Sequence, residues 1–503
     1  MNRLKHRIAL ILSILLLLPT LAACASEDGP APESAFETTE APIETTAEST
    51  EGGRAAHKDN LPADLSFDGE TVNVYFRDTI EVYSVFGTDN VGDIVTDAIW
   101  TRNLTVEDRL DVAFNYIRSA SANQGEVTAA IKSVAAAGLN EWDFLLTTNN
   151  TTVTRGIDNL MLDLSTLPHL DLTQPYWWQN AMDNVSLTGD SYRYLIGDFM
   201  LLNYLRTGAF LYNKNLYEDL YGNPDELYIN VLDGTWTYDH MINRAQEAYK
   251  DVNGNGRTDA DDITGYVIGN TYEEQMCQVA MGFDLQTYLR NDDGSITLLM
   301  DSERIFDVSR RLYEMTHQNF ALVINSKLSD AGLHFTKGTT LFAPLRFDQV
   351  TGANFRNMED DYGILPYPKY DDSQSEYVTL CHNSSGSASV LITLGEKRYA
   401  LVGAVLEALG SETYRSVTDV FLESALKMKY SRDSTSGQVI DIIVGSIRKD
   451  LVHEYSTYTN DIFNTLVKNA PATEGVYISA CKKLSGAAQA TLTKTINSLR
   501  EGK

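Results

Sequence analysis

Residues 71–76 read TVNVYF, in which apolar and polar side chains alternate as they do along a half-buried β-strand. Residues 93–110 follow with apolar side chains at near-helical spacing, and residues 112–116 read VAFNY, a second strand-like run. A helix-compatible stretch, 127–137, then leads to a third such run, WDFLLT at 142–147. Because short strands alternate here with longer helices, the sequence predicts an α/β architecture.

Polar residues stand where the first and third of these strands end. Arg77 and Asp78 follow the first strand, and Thr147 and Asn149 close the third. Ligands of open parallel sheets collect at the carboxyl ends of the strands. We therefore predict that these four residues help to bind a ligand, with ordinary loop positions as the alternative.

The amino terminus combines a basic head, an apolar run and a cysteine that follows small residues. The apolar run, residues 8–18, is short for a bilayer span, and residues 21–24 read LAAC. This pattern resembles the lipobox of bacterial lipoproteins. The resemblance implies that residues 1–23 are a signal peptide and that lipid on Cys24 anchors the protein to the extracytoplasmic face of the cell membrane. A secretory signal with a cysteine by chance is the alternative.

Residues 24–60 have the composition of a spacer. They consist largely of Glu, Thr, Ser, Ala and Pro, and Phe36 is their only aromatic residue. Such a segment buries too little apolar surface to offset the entropy of ordering it. We predict a disordered, acidic tether, followed by a folded body of two or more lobes because residues 61–503 exceed one ordinary core.

Charge and cysteine content exclude some classes of partner and site. The formal net charge of −29 repels phosphate backbones, so nucleic acid is not an expected partner. Besides Cys24, the cysteines are Cys277, Cys381 and Cys481, which stand far apart without CxxC spacing. Three cysteines cannot all pair, so at least one is a thiol, and a cysteine-based metal cluster is not predicted.

Three later segments carry a family resemblance. Residues 210–214 read FLYNK and are followed by GTW at 234–236; residues 335–342 read FTKGTTLF; and residues 362–369 read YGILPYPK. In this order and spacing they resemble extracellular solute-binding proteins of the carbohydrate type, family 1, which serve ABC importers. Together with the lipobox, the resemblance covers nearly the whole chain after the signal peptide.

The resemblance implies a fold and a function. The fold is a two-lobe α/β fold like that of periplasmic binding proteins, with the ligand cleft between the lobes. The first lobe would comprise residues 61–205 and 383–430, and the second 206–382 and 431–503. The function would be capture of a sugar or oligosaccharide by a monomer, without catalysis, and its delivery to an ABC permease in the membrane.

A sugar cleft needs aromatic platforms and hydrogen-bonding side chains. Trp177 and Trp178 are candidate platforms, although a place in the core of the first lobe is the alternative for both. Arg206 precedes the FLYNK segment near the expected crossover, and Arg346 and Phe347 follow the FTKGTTLF segment. We predict all five as ligand contacts from their positions.

Residues 251–262 read DVNGNGRTDADD and match a calcium loop of the EF-hand type, with glycine at the sixth position. The predicted ligands are the side chains at positions one, three, five, nine and twelve and the backbone carbonyl at seven: Asp251, Asn253, Asn255, Asp259, Asp262 and Arg257. Calcium would join a helix to a strand as a structural ion. A solvated Asn- and Asp-rich turn is the alternative.

Other functions remain open at this point. The ligand could be a peptide or a polyol instead of a sugar, and the tether would equally suit an adhesion scaffold. A surface glycoside hydrolase would also recognise sugars, but the chain has no GxSxG, HExxH or P-loop motif. We therefore predict a binding protein and no enzyme.

Overall fold

The structure is a computed structural model that describes residues 53–78, 93–149, 151, 160–269, 273–324, 328–350, 353–423 and 434–501. The predicted signal peptide, Cys24 and residues 24–52 of the predicted tether lie outside these residues. So does the predicted lobe boundary at 430. The prediction of disorder is wrong for residues 53–60, because Arg54 pairs with Asp419 and the buried side chain of Asp59 pairs with Arg109. No helix within the described ranges is both long enough and apolar enough to span a membrane.

The strands of the described residues are β1 (Glu70–Phe76), β2 (Val112–Arg118), β3 (Phe144–Thr148), β4 (Gly208–Asn213), β5 (Thr264–Gly269), β6 (Tyr288–Arg290), β7 (Ile296–Leu298), β8 (Ala321–Ile324), β9 (Thr340–Arg346), β10 (Tyr362–Leu365), β11 (Thr379–Leu380), β12 (Gly386–Ser389) and β13 (Ile447–Arg448).

The α-helices are α1 (Ile94–Leu110), α2 (Gln124–Ala136), α3 (Gln179–Val185), α4 (Leu202–Leu205), α5 (Lys214–Tyr221), α6 (Glu226–Leu232), α7 (Tyr238–Ala248), α8 (Glu273–Gly282), α9 (Glu303–Thr316), α10 (Leu328–Phe335), α11 (Phe347–Val350), α12 (Ala353–Arg356), α13 (Tyr399–Ser416), α14 (Thr418–Phe421), α15 (Ser434–Gly445), α16 (Leu451–Glu454), α17 (Ile462–Asn469) and α18 (Val476–Arg500).

The predicted alternation of the first part of the chain is confirmed by β1, α1, β2, α2 and β3. Local side chains set where the helices begin. Asp93 accepts a hydrogen bond from Thr96 N at 2.9 Å, and Asn123 accepts one from Gly125 N at 2.9 Å. Each cap satisfies a backbone donor that the first turn leaves unpaired.

The first sheet has the order β12-β3-β1-β2. β1 runs parallel to β2 and to β3, whereas β12 is antiparallel to β3, with Gly386 opposite Thr148. The carboxyl ends of β1 and β3 and the start of β12 therefore share one edge.

The second sheet has the order β10-β4-β9-β5-β8. β5 is parallel to β8 and β9, and β4 is antiparallel to β9, with Gly208 opposite Arg346. Every residue of β4, β5 and β9 is buried, as expected for strands covered on both faces. The carboxyl ends of β5, β8 and β9 thus meet the start of β4 at one edge.

Among the described residues, crossover segments 206–208 and 381–386 run from one sheet to the other. Thr207 and Cys381 form an antiparallel bridge, and His382 N donates to Arg206 O at 3.0 Å. The segments therefore run side by side, and both sheets belong to a single compact unit.

The segments that carry the family resemblance at residues 210–214, 234–236 and 362–369 contact each other in the core of the second sheet. Trp236 is fully buried, and its Nε1 donates to Pro366 O at 2.9 Å. A Cβ on Gly363 would lie 2.1 Å from Cε1 of Tyr212, so this position of β10 accepts only glycine. Trp236 therefore has a structural role in this core.

Candidate functional site

One rim of the candidate site lies at the shared edge of the first sheet. Arg77, directly after β1, donates from Nε and Nη2 to Ala122 O at 2.9 and 2.8 Å and from Nη1 to Thr148 Oγ1 at 3.3 Å. Asn149 is buried, and its Nδ2 donates to Ser385 Oγ at 2.9 Å. The end of the second crossover segment is therefore tied to the end of β3.

Asp78 and Thr147, the other two residues predicted for this rim, do not share the contacts of Arg77. Asp78 forms an exposed ion pair at 3.3 Å with Arg118, the last residue of β2. Thr147 is fully buried within β3, opposite Ser387. Period-two alternation places Thr147 and its neighbour Thr148 on opposite faces, and it is Thr148 that contacts Arg77.

The second rim is built on two arginines that share one carboxylate. Arg346, which is buried, donates from Nε and Nη2 to the two oxygens of Asp348, each at 3.2 Å. Arg206 donates to the same carboxylate. Glu274 lies 3.9 Å from Arg346 as a weaker partner. Asp348 and Glu274 were not predicted, because nothing in their local sequence distinguishes them from other acidic residues.

Phe347 belongs to the core and not to this rim. Its side chain is 1% exposed, and its backbone N donates to Thr207 O at 3.1 Å. It therefore links the end of β9 to the first crossover segment.

The two rims lie close enough for their charges to interact. Burial lowers the pKa of Arg77, and the positive charge of Arg206 lowers it further. Burial also lowers the pKa of Arg206, although Asp348 opposes the effect. For Arg346 burial acts in the same direction, but Asp348 and Glu274 outweigh it and the pKa is raised. The space between the rims is thus rich in guanidinium donors.

The two predicted tryptophans lie elsewhere in the first part of the chain. Trp177 is buried against Phe199, and its Nε1 donates to Glu407 Oε2 at 3.4 Å. Trp178 is half-buried and donates from Nε1 to Asp198 Oδ1 at 2.6 Å. The surroundings of Trp177 are those of a core residue.

Trp178 forms part of the wall of a cavity of about 380 Å³. Its lining includes one guanidinium, one carboxylate, four aromatic side chains and two aliphatic ones: Arg54, Asp198, Trp177, Trp178, Tyr204, Tyr414, Val444 and Ile447. Arg77, Arg206 and Arg346 are not among the described residues that line it. An aromatic wall with one carboxylate and one guanidinium is a composition that suits a sugar.

The predicted calcium loop is closed by hydrogen bonds to its first and last residues. Asp251 accepts from Gly254 N and Gly256 N at 2.7 and 2.8 Å. Asp262 accepts from Val252 N and Asp259 N at 2.9 and 3.0 Å. Both glycines have positive φ, 72° and 73°, which a sharp turn requires.

The side chains predicted as calcium ligands are carboxylates and amides. Their oxygen atoms are the ligands that a hard cation prefers. Asn253 and Asn255 direct their Nδ2 atoms at Asp259, with distances of 3.2 and 2.6 Å, and their Oδ1 atoms accept from backbone N–H groups. Both amides would have to reorient before their oxygens could face an ion. Arg257, whose N donates to Asn255 Oδ1 at 2.8 Å, lies in the middle of the loop as predicted.

No protein-family model matches the chain, and no curated protein sequence matches it. Solved structures do resemble it. UgpB from Mycobacterium tuberculosis, in complex with glycerophosphocholine, is 15% identical over 85% of this chain and 100% of its own, with a TM-score of 0.55. An ABC transporter solute-binding protein from Thermotoga lettingae, bound with α-D-tagatose, is 13% identical over 84% and 100%, with a TM-score of 0.52.

The GacH receptor of Streptomyces glaucescens, solved unliganded and with acarbose, is 14% identical over 84% of this chain and 98% of its own, with a TM-score of 0.50. At such identities the likeness shows the fold. The predicted α/β fold of the periplasmic-binding-protein type is therefore confirmed.

Proposed function

We propose that the chain is an extracytoplasmic solute-binding protein that captures a sugar or oligosaccharide between its two sheets and delivers it to an ABC permease. One observation carries the proposal. The crossover segments lie beside the sheet edges that bear Arg77, Arg206 and Arg346, so a solute bound there would contact both sheets. The confirmed fold agrees with this placement.

Binding in such a site makes and breaks no covalent bond. Asp348 orients the guanidinium groups of Arg206 and Arg346, and the Ala122 carbonyl orients that of Arg77. Guanidinium donors held in this way can bind sugar hydroxyls in pairs at a small entropic cost. Closure of the two sheets on the solute requires that the solute bind the closed state more tightly than the open one.

The first experiment is a thermal-shift screen of the full chain against sugars, polyols, amino acids and short peptides, since a ligand of the folded state raises the melting temperature. We expect a shift with one class of sugar and no turnover of that sugar. Consumption of the sugar would indicate a hydrolase, and the absence of any shift would favour a scaffold.

Matched variants then locate the site. Arg77→Ala should weaken binding at least tenfold, whereas Arg310→Ala, on the exposed surface of α9, should leave it unchanged. If Trp178→Ala weakens binding and Arg77→Ala does not, the solute occupies the aromatic cavity instead of the space between the rims.

Lipid anchoring is part of the proposal and rests on the lipobox alone. Replacement of Cys24 by serine should move the protein from the membrane fraction to the soluble fraction of the producing cells. A Cys24→Ser variant that stays with the membrane would require another mode of attachment.

We also propose that residues 251–262 bind one structural calcium ion. Calcium should raise the melting temperature of the unmodified chain and of Asp261→Asn, a control on an exposed residue that is not a predicted ligand. It should not do so for Asp262→Asn, because that change removes a carboxylate from the closing position. The proposal is wrong if chelation of calcium leaves the melting temperature of the unmodified chain unchanged.

A further inference from the structure

Three buried side chains of the kind that bind transition metals meet beside the second crossover segment. One ring nitrogen of His382, one of His453 and Sγ of Cys277 all lie within 4.8 Å of one another. His382 belongs to the crossover, Cys277 to α8 and His453 to α16. Cys277 and His453 are fully buried and His382 is 8% exposed. The cluster does not follow from sequence spacing, because its members are distant in the chain.

Each histidine uses one ring nitrogen to contact the crossover segment. Nδ1 of His382 lies 2.8 Å from Ser384 Oγ, and Nε2 of His453 accepts from Asn383 N at 3.4 Å. Within the described part of the chain, Nε2 of His382 and Nδ1 of His453 have no hydrogen-bond partner. Buried polar atoms in native proteins are normally paired, so an unpaired ring nitrogen on each of two neighbouring histidines, whose ring centroids are 5.1 Å apart, is unusual.

The surroundings keep both imidazoles neutral. Burial lowers the pKa of His382 well below its usual value, assisted by His453 and the cations Arg346, Lys449 and Arg206. Burial, assisted by Lys449, lowers the pKa of His453 to about 3. Neutral imidazole is the form that binds a metal ion.

The number and kind of ligands restrict the choice of ion. Zinc in structural sites almost always takes four ligands, whereas three such side chains are grouped here among the described residues. One thiolate and two neutral imidazoles leave no net charge around a monovalent ion. Thiolate and imidazole are also the ligands that suit a soft monovalent cation such as copper(I).

We propose that Cys277, His382 and His453 bind one copper(I) ion. The bonds would join α8 and α16 to the crossover segment and so restrict movement between the two sheets. The proposal does not depend on the identity of the solute.

The test is a titration of the reduced full chain carrying Cys24→Ser, with copper(I) under anaerobic conditions and a chromophoric copper(I) chelator as competitor. We expect one bound equivalent and a rise in melting temperature. Cys277→Ser and His453→Gln should each weaken binding at least tenfold. Cys481→Ser removes another buried thiol, whose Sγ donates to Met300 O at 3.2 Å, and should bind copper normally.

The proposal is overturned if the parent chain binds no copper(I) in competition with the chelator, or if Cys277→Ser binds it as tightly as the Cys481→Ser control. Preference for zinc(II) over copper(I) would also overturn it, because the argument from the number and kind of ligands would then be wrong. The decisive titration uses the parent chain, so a variant that fails to fold does not remove the test.

Discussion

Replacement of Lys449 by methionine should destabilise the protein severely. The side chain of Lys449 is fully buried, and its Nζ lies 2.6 Å from Oε1 of Glu454, which is 1% exposed. Nζ also donates to Ser385 Oγ at 2.8 Å, in the second crossover segment. Methionine fills a similar volume but leaves the carboxylate of Glu454 buried without its cation.

The magnitude follows from the burial of both partners. Removal of one partner from a buried ion pair lowers the free energy of unfolding by about 3–5 kcal/mol. Burial already raises the pKa of Glu454, and Lys449 opposes that rise. Without Lys449, the pKa of Glu454 in the folded state should rise further above its value in the unfolded chain. The stability deficit of the variant should therefore widen as the pH rises through that pKa.

The adjacent residue provides a matched control. Arg448 pairs with Asp284 at the same distance, 2.6 Å, but the two side chains are 42% and 47% exposed. Loss of an exposed pair changes stability by about 0–1 kcal/mol. Urea unfolding of Lys449→Met, Arg448→Ala and the double variant Lys449→Met/Glu454→Leu would measure the difference. Equal stability of Lys449→Met and Arg448→Ala would refute the reasoning, as would a double variant no more stable than Lys449→Met.

Three further outcomes are expected. Trp236→Ala should lower the free energy of unfolding by about 3–5 kcal/mol in urea denaturation. The change leaves a cavity at a fully buried position and removes the indole N–H that donates to Pro366 O. Gly363→Ala should reduce the yield of folded protein, because its Cβ would overlap Tyr212; normal yield and melting temperature would contradict this. Burial raises the pKa of Glu407 to about 7 from 4.5, so its contribution is present below the unfolded pKa and lost as the pH rises through about 7. Glu407→Gln should flatten the dependence of the melting temperature on pH in this window, and an unchanged profile would count against the shift.

Hydrophobic periodicity was sufficient to predict β1, α1, β2, α2 and β3, because each of these elements is specified by its own residues. The candidate site was predictable only in part. Arg77 follows a strand that the pattern reveals, and Arg346 follows a segment of the family resemblance. The pairing of Arg346 with Asp348 and of Asn149 with Ser385 depends on the packing of the folded chain.

The surroundings of the tryptophans and of the possible metal ligands were not predictable for the same reason: they depend on contacts between distant parts of the chain. Trp177 has a sequence context that suits a sugar platform, yet it packs in the core and bonds to Glu407 from α13. The cluster of Cys277, His382 and His453 depends on contacts between three distant segments. Local patterns contain no information about such contacts.

The position of β12 in the first sheet has a consequence for how the chain folds. Asn149 and Ser385, which join β3 to the start of β12, are 236 residues apart in the chain. During synthesis of the chain, the edge of β3 that pairs with β12 therefore stays unpaired until the entire second sheet has been made. Such long-range pairing slows folding, and an open edge invites association with other chains. We expect fragments that end before residue 386 to aggregate, and refolding of the intact chain to be limited by the docking of β12.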